Sequence, residues 1–291
     1  MVYLENERYR VIIAPLGAEI QSFYDKEKQM EYMWQADPEY WGRHAPILFP
    51  IVGALKGDQY EFAGQSYQLP RHGFARDEAF VVVAESATTV SLRLTENART
   101  LSHYPFAFEL VIQYQLEENC LSVHYQVKNP NSTPLYFSIG AHPAFRVPLN
   151  PELSFEAYHL TATPLKSRTM LPLKDTLIDY THRTLGQTNA PLALTHALFS
   201  EDALVFESKG YNEWTIASDQ SSEAVTLAYE GFPYVGIWST APKQSAFVCI
   251  EPWYGVADTL DTTGELTTKL GIQTLAAHAV FDASYKITVN A

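Results

Sequence analysis

Residues 108–116 read FELVIQYQL, and after the polar link EEN residues 120–128 read CLSVHYQVK. In the first stretch every second residue is apolar or aromatic, and the residues between them include Glu109, Gln113 and Gln115. The second stretch alternates in the same way. Alternation with a period of two is typical of a strand with one buried face, and a short polar link between two such strands predicts an antiparallel hairpin.

The same alternation recurs in short stretches along most of the chain. The 17 prolines and 14 glycines separate these stretches, and helical periodicity is weak throughout. Many short strands separated by turn residues predict an all-β sandwich or barrel. The further strands expected are Tyr9–Ile13, Phe80–Ala84, Val90–Leu94, Leu135–Ile139, Ala203–Glu207, Ala224–Tyr229, Tyr234–Trp238, Ala246–Ile250 and Tyr285–Val289.

The remaining segments contain no linker, no low-complexity run and no internal repeat. Residues 160–194 are the least regular, and we interpret them as long connections over a β-scaffold. Pro38–His44 is compatible with one or two helical turns. We therefore expect a single domain over residues 1–291.

The composition excludes several classes of protein. A formal charge of -13 argues against binding to nucleic acid or to an anionic membrane surface, because both select basic patches. The sequence has no apolar run near 18 residues and no signal-peptide pattern at MVYLENERYR, so we expect a cytoplasmic protein. Two cysteines in 291 residues fit a reducing compartment.

Common cofactor and nucleophile motifs are absent from the sequence. It contains no phosphate-binding glycine loop and no G-x-S-x-G elbow. No two histidines lie within five residues of each other, and the two cysteines are far apart, so there is no compact zinc signature. We expect no metal and no cofactor, which leaves acid–base side chains to carry any catalysis.

Three polar residues stand beside turn residues at the ends of apolar runs. They are His72 in RHGFARD, His142 in IGAHPAF and Glu251 in FVCIEPWYG. Such positions present side chains to ligands, and a carboxylate between a core strand and aromatic residues is expected to have a shifted pKa. The alternatives are a turn histidine bonded to backbone, a histidine that caps a strand end, and a glutamate in a structural ion pair.

HGFAR, AHPAF and CIEPWYG, in this order, resemble motifs of the aldose 1-epimerase (galactose mutarotase-like) family. The sequence is most similar to the bacterial subgroup associated with lactose and tagatose phosphate metabolism. The resemblance extends from about residue 17 to residue 258. It implies a large antiparallel β-sandwich and a metal-free sugar isomerase, in agreement with the strand pattern.

The resemblance also implies roles for individual residues. Glu251 matches the general base that deprotonates the C1 hydroxyl, His142 matches the acid that protonates the ring oxygen, and His72 matches the second histidine, which binds the ring oxygen or a nearby hydroxyl. Asp202 resembles an aspartate that binds sugar hydroxyls, with a turn residue as the alternative. Trp238 resembles an aromatic residue that packs on the sugar, with a core tryptophan as the alternative.

One segment departs from the galactose-specific pattern. Residues 52–57 read VGALKG where those enzymes carry Asn-Arg-Ile, so a substrate-binding arginine is missing there. Arg43 and Arg76 resemble arginines that hold the phosphate in hexose-6-phosphate mutarotases. Structural ion pairs are the alternative for both, with Asp77 as the partner expected for Arg76.

The leading hypothesis is an aldose 1-epimerase that acts on a free or phosphorylated hexose. A strict hexose-6-phosphate mutarotase and a non-catalytic carbohydrate-binding protein are the alternatives. The expected partner is a small sugar, and the chain is expected to be a monomer or a homodimer.

Overall fold

Two large antiparallel sheets contain 17 of the 27 strands that the described residues form. The computed structural model describes residues 1–290, of which almost all the regular structure is β. The described residues form 27 strands. In chain order these are β1 Val2–Glu5, β2 Tyr9–Ala14, β3 Glu19–Asp25, β4 Met30–Glu31, β5 Ile47–Leu48, β6 Gln59–Phe62, β7 Gln65–Gln68, β8 Val81–Glu85, β9 Thr89–Thr95, β10 Glu109–Glu117, β11 Cys120–Lys128, β12 Leu135–Phe137, β13 Ile139–Ala141, β14 Ala144–Arg146, β15 His159–Thr163, β16 Arg168–Leu171, β17 Leu173–Lys174, β18 Leu177–Ile178, β19 Thr184–Gly186, β20 Leu192–Ala193, β21 Leu204–Glu207, β22 Tyr211–Ser218, β23 Ser221–Glu230, β24 Tyr234–Trp238, β25 Phe247–Tyr254, β26 Gln273–Leu275 and β27 Val280–Asn290.

Helical structure is limited to one short α-helix and several 3₁₀ turns. The α-helix, α1, is Ala98–His103. None of the helices within residues 1–290 has the length and hydropathy needed to cross a membrane. The 3₁₀ turns are Lys56–Asp58, Ala75–Asp77, Phe155–Ala157, Tyr180–His182, His196–Phe199 and Leu266–Thr268.

The larger sheet has nine strands in the order β20-β15-β22-β23-β27-β11-β10-β9-β8. Next to its central strand, β27, is the hairpin β10–β11, in which Glu109 pairs with Lys128 and Glu117 pairs with Cys120. This is the hairpin that the sequence predicts. Its apolar residues are buried at every second position, as a half-buried strand requires.

The second sheet has eight strands, with β19-β16-β21-β24-β25-β13-β5 in order and β14 also paired with β25. Val248 and Ile250 on one face of β25 join the main core, to which the nine-stranded sheet contributes its inner face. Residues on the opposite face of β25, among them Cys249 and Trp253, belong to two smaller clusters. The all-β fold with large antiparallel sheets is therefore confirmed, and β25 separates the main core from a second surface.

Every predicted strand is present, although β25 extends to Tyr254 and β27 begins at Val280, beyond their predicted ends. One prediction is divided: Leu135–Ile139 forms all of β12 and the first residue of β13, interrupted at Ser138. The interpretation of residues 160–194 as connections is wrong, because most of β15 and all of β16 to β20 lie there. Apart from β15, these strands have two to four residues, which is too short for period-two alternation to show.

The helical turn expected at Pro38–His44 is present, at the shorter of the two expected lengths. Pro38–His44 forms a single turn, in which Trp41 N donates to Asp37 O at 2.9 Å. The α-helix α1 lies elsewhere and was not predicted. The residue that marks the start of α1 in the sequence is Asn97. Its side chain accepts from Thr100 N while Thr100 Oγ1 accepts from Asn97 N, and these two bonds form a capping box.

Candidate active site

The closest pair of predicted site residues, His142 and Glu251, is created by strand register. Gly140 of β13 pairs with Trp253 of β25, and β14 continues along β25 in the same register. Counting along the two strands from Gly140, the residue opposite His142 is Glu251. Residues directly opposite on antiparallel strands have side chains within reach of each other, and His142 Nε2 lies 3.2 Å from Glu251 Oε2.

Proline follows each member of this pair. Pro143 and Pro252 have no backbone N–H, so neither can donate to the ladder. The pairing is interrupted between β13 and β14, although the register continues on both sides. His142 and Glu251 therefore stay opposite each other in the register, although the strand pairing is interrupted at this point.

The floor beside Glu251 is the indole of Trp253, which lies over two glycines on the neighbouring strands. A Cβ on Gly140 would be 2.6 Å from the Trp253 ring, and a Cβ on Gly236 would be 2.5 Å from it. Gly236 also pairs directly with Glu251. Glycine at both positions is what allows the indole to lie close to the sheet.

Gly236→Ala should therefore destabilise the protein by about 1–3 kcal/mol, the usual range for overpacking. Urea unfolding would measure this loss. Gly42→Ala is the matched control, because its Cβ would meet only Pro38 at an ordinary 3.9 Å. Equal stability of the two variants would show that Trp253 can move away at no cost.

His72 is fixed by two hydrogen bonds to one glycine. His72 N donates to Gly53 O at 2.9 Å, and Gly53 N donates to His72 Nδ1 at 3.1 Å. A backbone N–H can only donate, so Nδ1 accepts and the proton of the neutral ring is on Nε2. This contact is the one expected of a turn histidine, and it leaves Nε2–H as the group that the ring can offer to a ligand.

Aromatic rings hold the imidazole of His142. Trp41 stacks on it with ring centroids 4.8 Å apart, and Trp238 meets it edge-on at 5.5 Å. His72 packs against its other side at 5.6 Å. Trp238 therefore contacts a site residue, and its packing on a sugar stays a prediction. Trp41 was missed because it lies in an unpatterned turn.

These side chains line a cavity of about 240 Å³. It is somewhat smaller than typical sites for drug-sized ligands, about 300–1,000 Å³, and therefore suits a small molecule. The hairpin β17–β18, within the segment interpreted as connections, forms part of its wall. Arg43 does not line the cavity, but the other six predicted residues do: His72, Arg76, His142, Asp202, Trp238 and Glu251.

Burial shifts the pKa values of the central groups toward their neutral forms. Desolvation raises the pKa of Glu251 well above its ordinary value; the Arg71 guanidinium opposes this shift and Asp202 adds to it. Desolvation lowers the pKa of His142 to about 3, and it lowers the pKa of His72 well below its ordinary value. Between the lowered pKa of His142 and the raised pKa of Glu251 the pair therefore holds one proton. Glu251 Oε2 has no aligned hydrogen-bond donor among residues 1–290, so it can accept one from a ligand.

Arg71 lines the cavity and was missed as a site residue. Its Nη2 lies 3.4 Å from Asp202 Oδ2, and its charge favours the ionised form of Glu251. Arg71 could have been proposed as a site residue from its position next to His72 in the RHGFARD motif. Asp202 itself has a positive φ of 79° and its Oδ1 accepts from Ala203 N, so it is a turn residue as well as a cavity residue.

Arg43 and Arg76 both form ion pairs with Asp77, which is the alternative to phosphate binding. Arg43 Nη2 lies 2.7 Å from Asp77 Oδ1, and Arg76 Nε lies 3.8 Å from Asp77 Oδ2. Arg76 Nη2 also donates to Arg71 O at 2.7 Å. Arg76 thus supports the main chain beside His72 while its side chain reaches the cavity.

One group of side chains has a composition that metals accept. Ligand atoms of His142, Cys249 and Glu251 lie within 4.8 Å of one another, and all three residues are buried. Burial raises the pKa of the Cys249 thiol, so the metal-free protein keeps this thiol protonated. The expectation of a metal-free site stays a prediction.

Comparison with known proteins identifies the family. The family model described as aldose 1-epimerase matches residues 1–270, and the chain belongs to this family. Protein LacX (chromosomal) of Lactococcus lactis subsp. lactis is 34% identical, over 99% of each chain.

Two solved structures are also similar over nearly the whole chain. A galactose mutarotase related enzyme from Lactobacillus acidophilus has 39% identity and a TM-score of 0.98, covering 99% of this chain and 97% of the other. A galactose mutarotase-like protein from Lactobacillus casei has 34% identity and a TM-score of 0.90, covering 99% of both. The motif resemblance found in the sequence is confirmed at the level of the family.

Proposed function

We propose that the protein is an aldose 1-epimerase that interconverts the α and β anomers of a hexose by acid–base ring opening. The observation that carries this proposal is the buried His142–Glu251 pair, with 3.2 Å between the nitrogen and the oxygen, at the floor of a cavity of monosaccharide size. Membership of the aldose 1-epimerase family supports it.

The reaction needs one group that takes a proton and one that gives a proton. The reactive form of the pair is the one in which its single proton lies on His142 instead of Glu251. In this form Glu251, as the carboxylate, removes the proton of the C1 hydroxyl while His142 gives its proton to the ring oxygen, and the C1–O5 bond breaks. Rotation about C1–C2 presents the other face of the aldehyde. The ring then closes with both transfers reversed, which restores the carboxylate and the imidazolium.

Neighbouring side chains complete the proposed site. His72 donates from Nε2 to the ring oxygen or an adjacent hydroxyl, because its Nδ1 is occupied by Gly53. Arg71 favours the ionised form of Glu251 and so prepares the base. Asp202 and Trp238 line the same cavity and serve to bind hydroxyls and the sugar face.

A non-catalytic sugar-binding protein would not need this arrangement. Burying a carboxyl beside an imidazole costs solvation energy, and a neutral sugar can be bound by exposed polar groups and aromatic rings. Polarimetry of freshly dissolved α-glucose and α-galactose, with and without the protein, tests the proposal. A decay of optical rotation that is no faster with the protein would leave the binding function as the better account.

The rate should show no inflection near pH 6.5, the ordinary pKa of histidine. Burial lowers the pKa of His142 to about 3, so a second proton joins the pair only in acid. Burial raises the pKa of Glu251, so the last proton leaves only well above the ordinary carboxyl range. We therefore expect a broad plateau of kcat/KM through neutral pH, measured by polarimetry. A titration step at 6.5 would contradict the shared-proton pair.

A hexose 6-phosphate is the second candidate substrate, because Arg71 and Arg76 both line the cavity. The contacts of Arg76 with Arg71 O and Asp77 favour a supporting role instead. We therefore expect Arg76→Ala to slow epimerisation of glucose and glucose 6-phosphate by the same factor. An arginine that binds phosphate would instead cost about 1.5–3 kcal/mol for the phosphorylated sugar alone. Polarimetric rates on both sugars for the wild type and the variant decide between the two.

A further inference from the structure

Behind the cavity wall, Asp258 and Lys269 form an ion pair that is almost closed to solvent. Their side chains are 3% and 2% exposed, and Lys269 Nζ lies 3.0 Å from Asp258 Oδ1. Lys269 Nζ also donates to Val256 O at 2.6 Å. A buried ion pair is weak evidence for stability, because desolvation offsets much of the attraction. Its position in the fold gives it a more specific role.

Asp258 joins three segments of the chain. Its Oδ2 accepts from Lys56 N at 3.0 Å, and its main-chain N–H donates to Ala54 O at 2.8 Å. Its carbonyl accepts from Ile178 N at 2.8 Å, at the end of the hairpin β17–β18. The loop after β5, the loop after β25 and a wall of the cavity are thus held at a single residue.

The loop after β5 carries the residue that orients His72. Gly53 precedes Ala54 and donates to His72 Nδ1. Gly53 also lies against Ala257, so closely that a Cβ on Gly53 would be 2.6 Å from it. A shift of residues 256–258 would therefore move Gly53, and with it the hydrogen bond that selects the His72 tautomer.

We propose that the Asp258–Lys269 pair is a positioning device that holds His72 in its Nε2–H tautomer and sets its angle to the cavity. The effect on turnover rests on the proposed epimerase function. The effect on the His72 ring does not, because it can be observed without any substrate.

The experiment combines histidine ¹⁵N spectra with polarimetry on Asp258→Ala and Lys269→Met, with His72 signals assigned from a His72→Asn spectrum. In the wild type, the His72 shifts should report an unprotonated Nδ1 and a protonated Nε2. Both variants should show a mixture of tautomers. They should also lose about 10–100-fold in kcat/KM, because small misplacement of a catalytic group has effects of this size.

Two further variants separate positioning from general destabilisation. Arg168→Met removes another buried cation, one that binds Asn212 and Thr188 and does not line the cavity; its His72 spectrum and rate should match the wild type. Asp258→Asn with Lys269→Met removes both charges but keeps an acceptor for Lys56 N. This double variant should fold even if a single variant does not, and it should still show the mixture of tautomers, because the ion pair is gone.

The proposal is overturned if the folded Asp258 and Lys269 variants keep the wild-type His72 tautomer, or if Arg168→Met disturbs it equally. It is also overturned if the double variant folds and keeps the wild-type tautomer, because the ion pair would then not be needed. A wild-type protein without epimerase activity, whose His72 tautomer still depends on Asp258, would support the positioning role and refute the proposed function.

Discussion

Glu251→Gln should reduce anomer interconversion by at least ~100-fold while the protein still folds and binds sugar. The amide keeps the shape of the side chain but cannot take a proton, and general base catalysis contributes about 10²–10⁴-fold. Burial raises the pKa of Glu251, so the free protein already favours an uncharged group at this position, and glutamine should not destabilise it. Polarimetry gives the rate, and calorimetric titration with the sugar gives the affinity.

Glu31→Gln is the matched control for this prediction. Glu31 is a partly buried carboxylate, but it accepts from Ser22 Oγ and the backbone of Phe23 and Met33, away from the cavity. We expect this variant to lose stability and to keep its turnover per folded molecule. Near-normal turnover in Glu251→Gln would remove the proposed base and favour the sugar-binding function.

His142→Asn should cause a loss of similar size, because it removes the group proposed to protonate the ring oxygen. Asparagine can still form a hydrogen bond, but it cannot transfer a proton at neutral pH. The rate should fall by about 100-fold or more in polarimetry, with kcat affected more than KM.

The control for His142 is His196→Asn. His196 is also partly buried and stacks on an aromatic ring, that of Phe155 at 4.2 Å, but it does not line the cavity. Its loss should leave kcat unchanged. If the two variants had the same small effect, His142 would be a packing residue.

The fold could be predicted where the signal is local. The β10–β11 hairpin is visible because two nine-residue strands alternate clearly and only a short link separates them. The two-residue strands of the β17–β18 hairpin carry no such signal. They exist because the neighbouring loop binds them, through the bond from Ile178 N to Asp258 O.

The site was only partly predictable for a related reason. Short motifs around His142 and Glu251 point to ligand-binding positions, but the register that sets them opposite each other spans 109 residues of sequence. Arg71 could have been proposed from its place beside His72. Trp41 could not, because only the folded chain brings its ring over His142.

Because the buried side chains of His142 and Glu251 lie beside each other, a catalytic cycle can begin and end with the same number of protons on this pair. Opening the ring takes one hydrogen from the sugar and returns another, and closure does the opposite. Bulk water and dissolved buffer need not enter the exchange at any stage. An epimerase built in this way would run at the same speed in dilute and in concentrated buffer, limited only by how fast the sugar turns and leaves.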